Sequence, residues 1–200
     1  RRFSKNGGYD FAVDPTLPAP KACVFWDHGV DPAVVLLQKV PETLGDATTT
    51  PPLPNGTSIS AADGLHQLLD AGREQRMQIL QADPNDTALA AIVPLDRDGF
   101  ARLEAVYQLL ARLHGRAVPG DSRLTSQKRR RARRMLQAHD GRIEGASQRE
   151  IAEAIFQMPR VSRDEWQSAS ERFAVMALLR DARKMIDGGY LTLLRPKKLA

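Results

Sequence analysis

The spacing of apolar residues changes character at about Asp98. Before it, apolar residues come in short runs bounded by turn formers. "ACVFW" (Ala22–Trp26) and "AVVLLQKV" (Ala33–Val40) are rich in β-forming residues, and "DHGVDP" between them is a turn cluster, so the pattern predicts a hairpin. Leu65, Leu68, Leu69, Met77 and Leu80 fit either one helix or two strands. "DAG" at Asp70–Gly72 favours the second, a hairpin of Leu65–Leu69 against Glu74–Gln81. "TALAAIVPL" (Thr87–Leu95) follows the "DPND" turn as a further strand. Residues 1–20, with Gly7, Gly8, Pro15, Pro18 and Pro20, read as extended and irregular. Pro41–Gly56, rich in proline and threonine, reads as a long loop or linker.

After Asp98 the period becomes helical. Phe100, Leu103, Val106, Tyr107, Leu110 and Leu113 recur at steps of three and four until Gly115, which predicts an amphipathic helix with this stripe in the core. A second helix after the capping residue Thr125 places Ala132, Met135, Leu136 and His139 on one face, Arg130, Arg133 and Arg134 on other sides, and a stop at Asp140-Gly141. Ser147 and Glu150 form a capping-box signature for "QREIAEAIF", whose apolar face is Ile151, Ala152 and Ile155, and Pro159 breaks that helix. A last helix, capped by Ser170, has Ala174, Leu178, Ala182, Met185 and Ile186 inside and Phe173, Met176 and Arg180 outside. Gly188-Gly189 ends it, and "YLTLL" follows as an extended tail. The fold class is therefore α+β: a small antiparallel β lobe over residues 1–96, with the Pro/Thr-rich loop at 41–56, then a helix-turn-helix-like domain over 97–200. The motif itself falls within 125–190.

Charge follows the same division. Residues 1–96 hold 7 Lys and Arg against 12 Asp and Glu; residues 97–200 hold 22 against 12, so a net −5 precedes a net +10. A basic domain attracts polyanions such as nucleic acid. Six of the seven residues Lys128–Arg134 are cations. On a helix with an apolar stripe they are not a structureless tail; they are either a phosphate-binding face or a solvated one. Cys23 is the sole cysteine, which rules out an intrachain disulfide framework or zinc-finger ligand set and fits the cytoplasm. No apolar run approaches the ~18 residues of a membrane span. His28, His66, His114 and His139 are scattered. No phosphate loop, nucleophile elbow, HExxH or dinucleotide fingerprint is present, so the reading is a binding protein without enzymatic activity, cofactor or metal. The chain opens with "RRFSKNGG" and no initiator Met, as a fragment would.

Four stretches carry a resemblance from about Phe11 to Leu194: "FAVDPTLPAPKACVFW", "IVPLDRDGFARLEAVYQLL", "LTSQKRRRARRMLQAHDGRIEGASQREIAEAIF" and "ARKMIDGGYLTLLR". In this order they resemble the proteobacterial family of RovC-like transcription-factor DNA-binding domains. Members of that family include regulators of type VI secretion and activators or antiactivators of conjugative-element transfer. The resemblance implies a helix-turn-helix variant on promoter DNA, and it supports the hairpin at Leu65–Gln81. The chain departs from the family pattern early in the last helix, where Arg172 is present but Ala174 and Ala177 stand in place of further cations.

Arginine and glutamine can make bidentate contacts to bases, while serine and helix N-termini suit phosphates. The expected DNA contacts are therefore Arg149, Arg163, Gln167, Ser168, Ser170 and Arg172, with Arg180 beside them on the outer face, and Arg130, Arg133 and Arg134 on the phosphate backbone. Trp166 reads as a plug between helices. The implied partners are double-stranded DNA, a second copy of the chain through the β lobe, and a protein regulator or RNA polymerase.

Overall fold

The computed structural model describes residues 7–11, 16–17, 22–44, 50–70, 76–118, 123–159 and 161–195. It divides into two compact units, one formed by Arg1–Asp121 with Leu194–Ala200 and one by Ser122–Leu193.

The first unit is built on a five-stranded sheet: β1 (Val35–Lys39), β2 (Gly56–Ala61), β3 (Gly64–Asp70), β4 (Arg76–Gln81) and β5 (Leu89–Ile92), in the order β2-β3-β4-β1-β5. The hairpin of β3 and β4 pairs His66 with Leu80 and Leu68 with Gln78. The turn expected at Asp70–Gly72 lies mostly outside the described residues. The sheet is mixed and not purely antiparallel, because β1 runs parallel to β4 and antiparallel to β5. Between β2 and β3 the turn closes at Gly64, where φ is +135° and a Cβ would run into the Gln81 carbonyl, so only glycine fits.

Both faces of the sheet are covered. Period-two alternation puts Leu69, Met77, Ile79, Val35 and Leu37 on one face, where Ala105 and Leu109 of helix α1 (Gly99–Leu113) close the core. On the other face the 22–27 segment lies across β4. The Gln78 side-chain amide donates to the Trp26 carbonyl (2.8 Å) and accepts from the Trp26 N–H (2.7 Å). Tyr9 N–H in turn donates to the Phe25 carbonyl. The hairpin expected between Ala22–Trp26 and Ala33–Val40 is therefore not formed. Its first arm pairs with residues 7–9 and with a side chain, and its second becomes β1 between β4 and β5.

The stripe expected to bury α1 also needs correction. Val106 and Leu113 pack against the core, but Phe100 is 81% exposed and Leu103, Tyr107 and Leu110 are about half exposed. The face that meets the sheet is the smaller one, with Ala105 and Leu109. Phe100, Leu103 and Tyr107 turn outward, while Leu110 borders a pocket beside Leu37 and Leu89 of the sheet.

In the second unit, α2 (Ser126–Ile143), α3 (Gln148–Phe156), α4 (Arg163–Ser168) and α5 (Ser170–Ile186) surround Met135, Ala138, Ile151, Ala152, Val175, Leu178 and Ala182. Ala152 and Ala138 have no exposed surface, which lets α2, α3 and α5 pack closely. Four expectations are corrected here. Leu136 is 59% exposed, and Ala138 takes the core position expected of Leu136. Ile186 is half exposed while Val175 is fully buried. Helix α2 runs past Asp140-Gly141 and stops at Glu144-Gly145, where Gly145 has φ +89°. The stretch after Gly188 is a 3-10 turn, Gly189–Leu193, and not an extended tail. No helix among the described residues is long and apolar enough to cross a membrane.

Candidate nucleic-acid interface

The second unit carries 15 Lys and Arg against 9 Asp and Glu, a net +6. Its helices hold those cations by local devices. Thr125 accepts from Lys128 N–H and starts α2. A full capping box of Ser147 and Glu150 starts α3, and a second one, Ser162 with Glu165, starts the short α4. In that second box the hydrogen bonds from Ser162, backbone first, hold the Glu165 carboxyl below its ordinary range. Ser170 does not cap α5. The N-cap is Ala169, which has no side-chain bond, and the Ser170 hydroxyl donates to Glu171.

Arg131 of α2 donates to Asp181 of α5, and Arg180 meets the same carboxylate at 3.1 Å. The Arg131 bond first, then the Arg180 bond, depresses the Asp181 pKa. One buttress thus locks α2 to α5 and fixes the root of Arg180, whose side chain remains 77% exposed.

The ten expected contact residues fall in several places. Arg130 and Arg133 are exposed on the side of α2 away from Met135 and Ala138. Arg134 stacks over the Phe156 ring at 5.4 Å, which joins α2 to the end of α3. Arg149 reaches the Val161 carbonyl (3.4 Å) and Glu153 (3.5 Å). Arg172 donates to the Gln167 carbonyl (3.0 Å) and lies over Phe173. Arg149 therefore holds the segment before α4, and Arg172 ties the start of α5 to the last turn of α4. Arg163, Gln167 and Ser168 are exposed on α4 itself, and the Ser168 hydroxyl donates to the Glu165 carbonyl. Trp166 packs against the core of the unit.

One concave feature gathers cations that sequence reasoning misses. A groove of about 710 Å³ runs between the end of α2, the start of α3 and the last three turns of α5. Among the described residues Arg142, Arg180, Arg183 and Lys184 line it, with Asp187 as the acidic member and Met176 and Leu179 in its apolar lining. Of the expected residues only Arg180 belongs to it. Arg183 and Lys184 are legible as the continuation of Arg180 at steps of three and four along one helix face. Arg142 comes to the groove only through the packing of α2 on α5. Such a channel can seat phosphates along a rim of guanidinium and ammonium groups while the apolar lining meets sugar or base edges. Phe173 (60% exposed) and Met176 (45%) continue the same outer face of α5. Among the described residues no group of His, Cys, Asp and Glu is arranged to hold a metal ion.

Residues 92–195 match the model of the RovC DNA-binding family, described as the DNA-binding domain of a type VI secretion (T6SS) transcription factor. The chain belongs to this family. The match takes in helix α1 and the whole of the second unit, including the groove. Comparison with curated proteins and with solved structures returned no match. Membership makes the chain part of a transcription-factor family whose shared segment binds DNA, and it accounts for the concentration of cations in Ser122–Leu193.

Proposed function

We propose that the chain is a sequence-specific regulator of transcription that acts in the cytoplasm as an activator of secretion-system or conjugative-element genes. The observation that carries this reading is the outer face of α5, where Arg180, Arg183 and Lys184 border a groove completed by Arg142. In this reading α3, α4 and α5 are the helix-turn-helix variant, with α4 filling what would otherwise be the turn. The helix α5 enters the major groove. Arg172, Gln167 and Arg163 at its leading corner read base edges, and Ser168 and Ser170 meet phosphates. Arg130, Arg133, Arg134 and Arg149 add backbone contacts that position the unit without reading sequence. Genome-wide capture of DNA fragments by the purified chain tests the reading. Enrichment of promoter fragments sharing one sequence supports it, and uniform recovery of all fragments overturns sequence specificity.

A second reading keeps the same face but gives it a protein partner, as an antiactivator or adaptor holding another regulator or RNA polymerase. It is favoured by Phe173 and Met176, apolar side chains at the centre of a basic face. Pull-down from nuclease-treated extract separates the two. A partner that survives nuclease supports the second reading, and one that disappears with the nucleic acid removes it.

A further inference from the structure

The groove of the second unit holds groups that contact with a phosphate backbone does not require. The Gln148 side chain, which opens α3, lines it, and its amide has no hydrogen-bond partner among the described residues. Met176 and Leu179 give the groove an apolar wall, and Met176 is about half exposed. A carboxamide can pair in bidentate fashion with N6 and N7 of adenine, and a thioether beside a leucine suits the flat face of a base. In a duplex those faces are stacked. The edges lie at the floor of a channel about 8.5 Å deep, which only a projecting element reaches. A concavity closes on a base only when that base is outside the stack.

The charges point the same way. Among the described residues, four cations against Asp187 give the groove a net +3, and neither Arg183 nor Lys184 has an ion-pair partner. From Arg180 to Lys184 the helix rises about 6 Å. One DNA strand presents a phosphate every ~3.4 Å of duplex axis, so about two negative charges face that span. A terminal diphosphate concentrates about three in one group. We infer that the groove takes a free adenine nucleotide bearing a diphosphate. Arg142, Arg180, Arg183 and Lys184 hold the phosphates, Gln148 pairs with the adenine edge, and Met176 and Leu179 lie against its face. The volume of about 710 Å³ falls within the range of small-molecule sites, about 300 to 1,000 Å³.

Nucleotide and duplex then need the same cations. Nucleotide binding stands on the groove alone; its effect on DNA rests on the reading that these cations neutralise duplex phosphates. Where both hold, the nucleotide takes Arg180 and Arg183 from the duplex, and the chain releases DNA as the nucleotide concentration rises. For mutually exclusive binding, the apparent Kd for duplex rises by the factor one plus the ratio of nucleotide concentration to its own Kd. By linkage, duplex DNA weakens nucleotide binding in the same proportion.

Isothermal titration of the full chain with ADP is the test, on protein freed of nucleic acid by nuclease and high salt and then returned to low salt. Saturable binding of one ADP per chain is expected, about tenfold or more tighter than inorganic pyrophosphate or adenosine. The double variant Arg183→Ala/Lys184→Ala should weaken ADP by about tenfold or more. Gln148→Ala should narrow the gap between ADP and pyrophosphate. Circular dichroism checks that these exposed substitutions leave the fold intact. In a second arm, fluorescence anisotropy of a labelled duplex, ADP at about ten times its Kd should weaken duplex binding about tenfold. Pyrophosphate that binds as tightly as ADP, or an ADP preference indifferent to Gln148→Ala, would overturn the inference and leave the duplex reading intact. So would single-stranded oligo(dA) that binds where ADP does not, or no saturable ADP binding up to about 5 mM, beyond the millimolar range of weak sites. ADP that binds without disturbing the duplex would uphold the nucleotide site and take the duplex phosphates out of the groove.

Discussion

At the scale of single residues, charge and hydrogen bonding decide what each polar group can do. Arg180 and Arg183 are presented to a groove, and Arg180 is rooted by the Asp181 carboxylate that Arg131 also holds. Every phosphate that is no longer neutralised should lower the slope of log affinity against log salt by about 0.9. The double variant Arg180→Ala/Arg183→Ala is therefore expected to bind duplex DNA more weakly at every sequence and to flatten the slope by about 1.8. Fluorescence anisotropy titrations at several salt concentrations measure it, and an unchanged slope would place the phosphates elsewhere. A second residue-scale case lies in the first unit. Asp63 accepts from the Tyr9 hydroxyl (2.6 Å) and meets Nε2 of the fully buried His66 (3.0 Å), beneath the stacked rings of Tyr9 and Phe11. Burial of the carboxyl opposes ionisation, yet the bonds from Tyr9 and then His66 prevail and hold its pKa below the ordinary carboxylate value of about 3.9. A depressed folded pKa contributes stability that is present above the unfolded value and is lost as pH falls through the folded one. Asp63→Asn should therefore cost about 2 kcal/mol at pH 7, a cost that shrinks as pH falls below about 4. Urea unfolding of both proteins across that range measures the difference, and a cost that persists undiminished at the lowest pH would assign it to packing.

At the scale of elements, legibility in the sequence depends on whether the element's signal is local. The capping box of Ser147 and Glu150 and the cap at Thr125 are fixed by residues three apart, and they stand where that spacing predicts them. The same Ser-x-x-Glu signature begins α4 at Ser162, but the six-residue helix has too few apolar positions to show a period and reads as part of a connection. Strand β2, "GTSISA", is a mostly exposed edge strand and carries little apolar alternation. Partner choice is legible only where a turn dictates it. Thus the β3–β4 hairpin can be read, while β1 finds β4 forty residues away through a register that no local pattern encodes. The groove divides the same way, since Arg180, Arg183 and Lys184 lie on one legible helix face and Arg142 arrives by tertiary packing. One element end is testable. Gln157, after α3, sits in the left-handed region at φ +54°, which costs a side-chain-bearing residue about 1 kcal/mol relative to glycine. Gln157→Gly should raise stability by about that amount, seen as a shift of the urea midpoint without a change in slope. A loss of stability would mean that the Gln157 side chain makes an interaction worth more than the strain.

At the scale of the whole molecule, a change of hydrophobic period need not mark a boundary of packing. The period turns helical at Asp98, yet the first helix after that point completes the core of the sheet, and the compact basic unit runs from Ser122 to Leu193. Of the net +5 of the chain, that unit supplies +6 and the remainder supplies −1. Long-range attraction to DNA therefore belongs to it, and it has its own core of Met135, Ile151, Val175 and Leu178 with which to fold. The segment Ser122–Leu193, produced alone, should keep the salt slope of the intact chain on a DNA carrying one site, because the same phosphates are neutralised. A segment whose slope collapses would return the phosphate contacts to residues outside Ser122–Leu193.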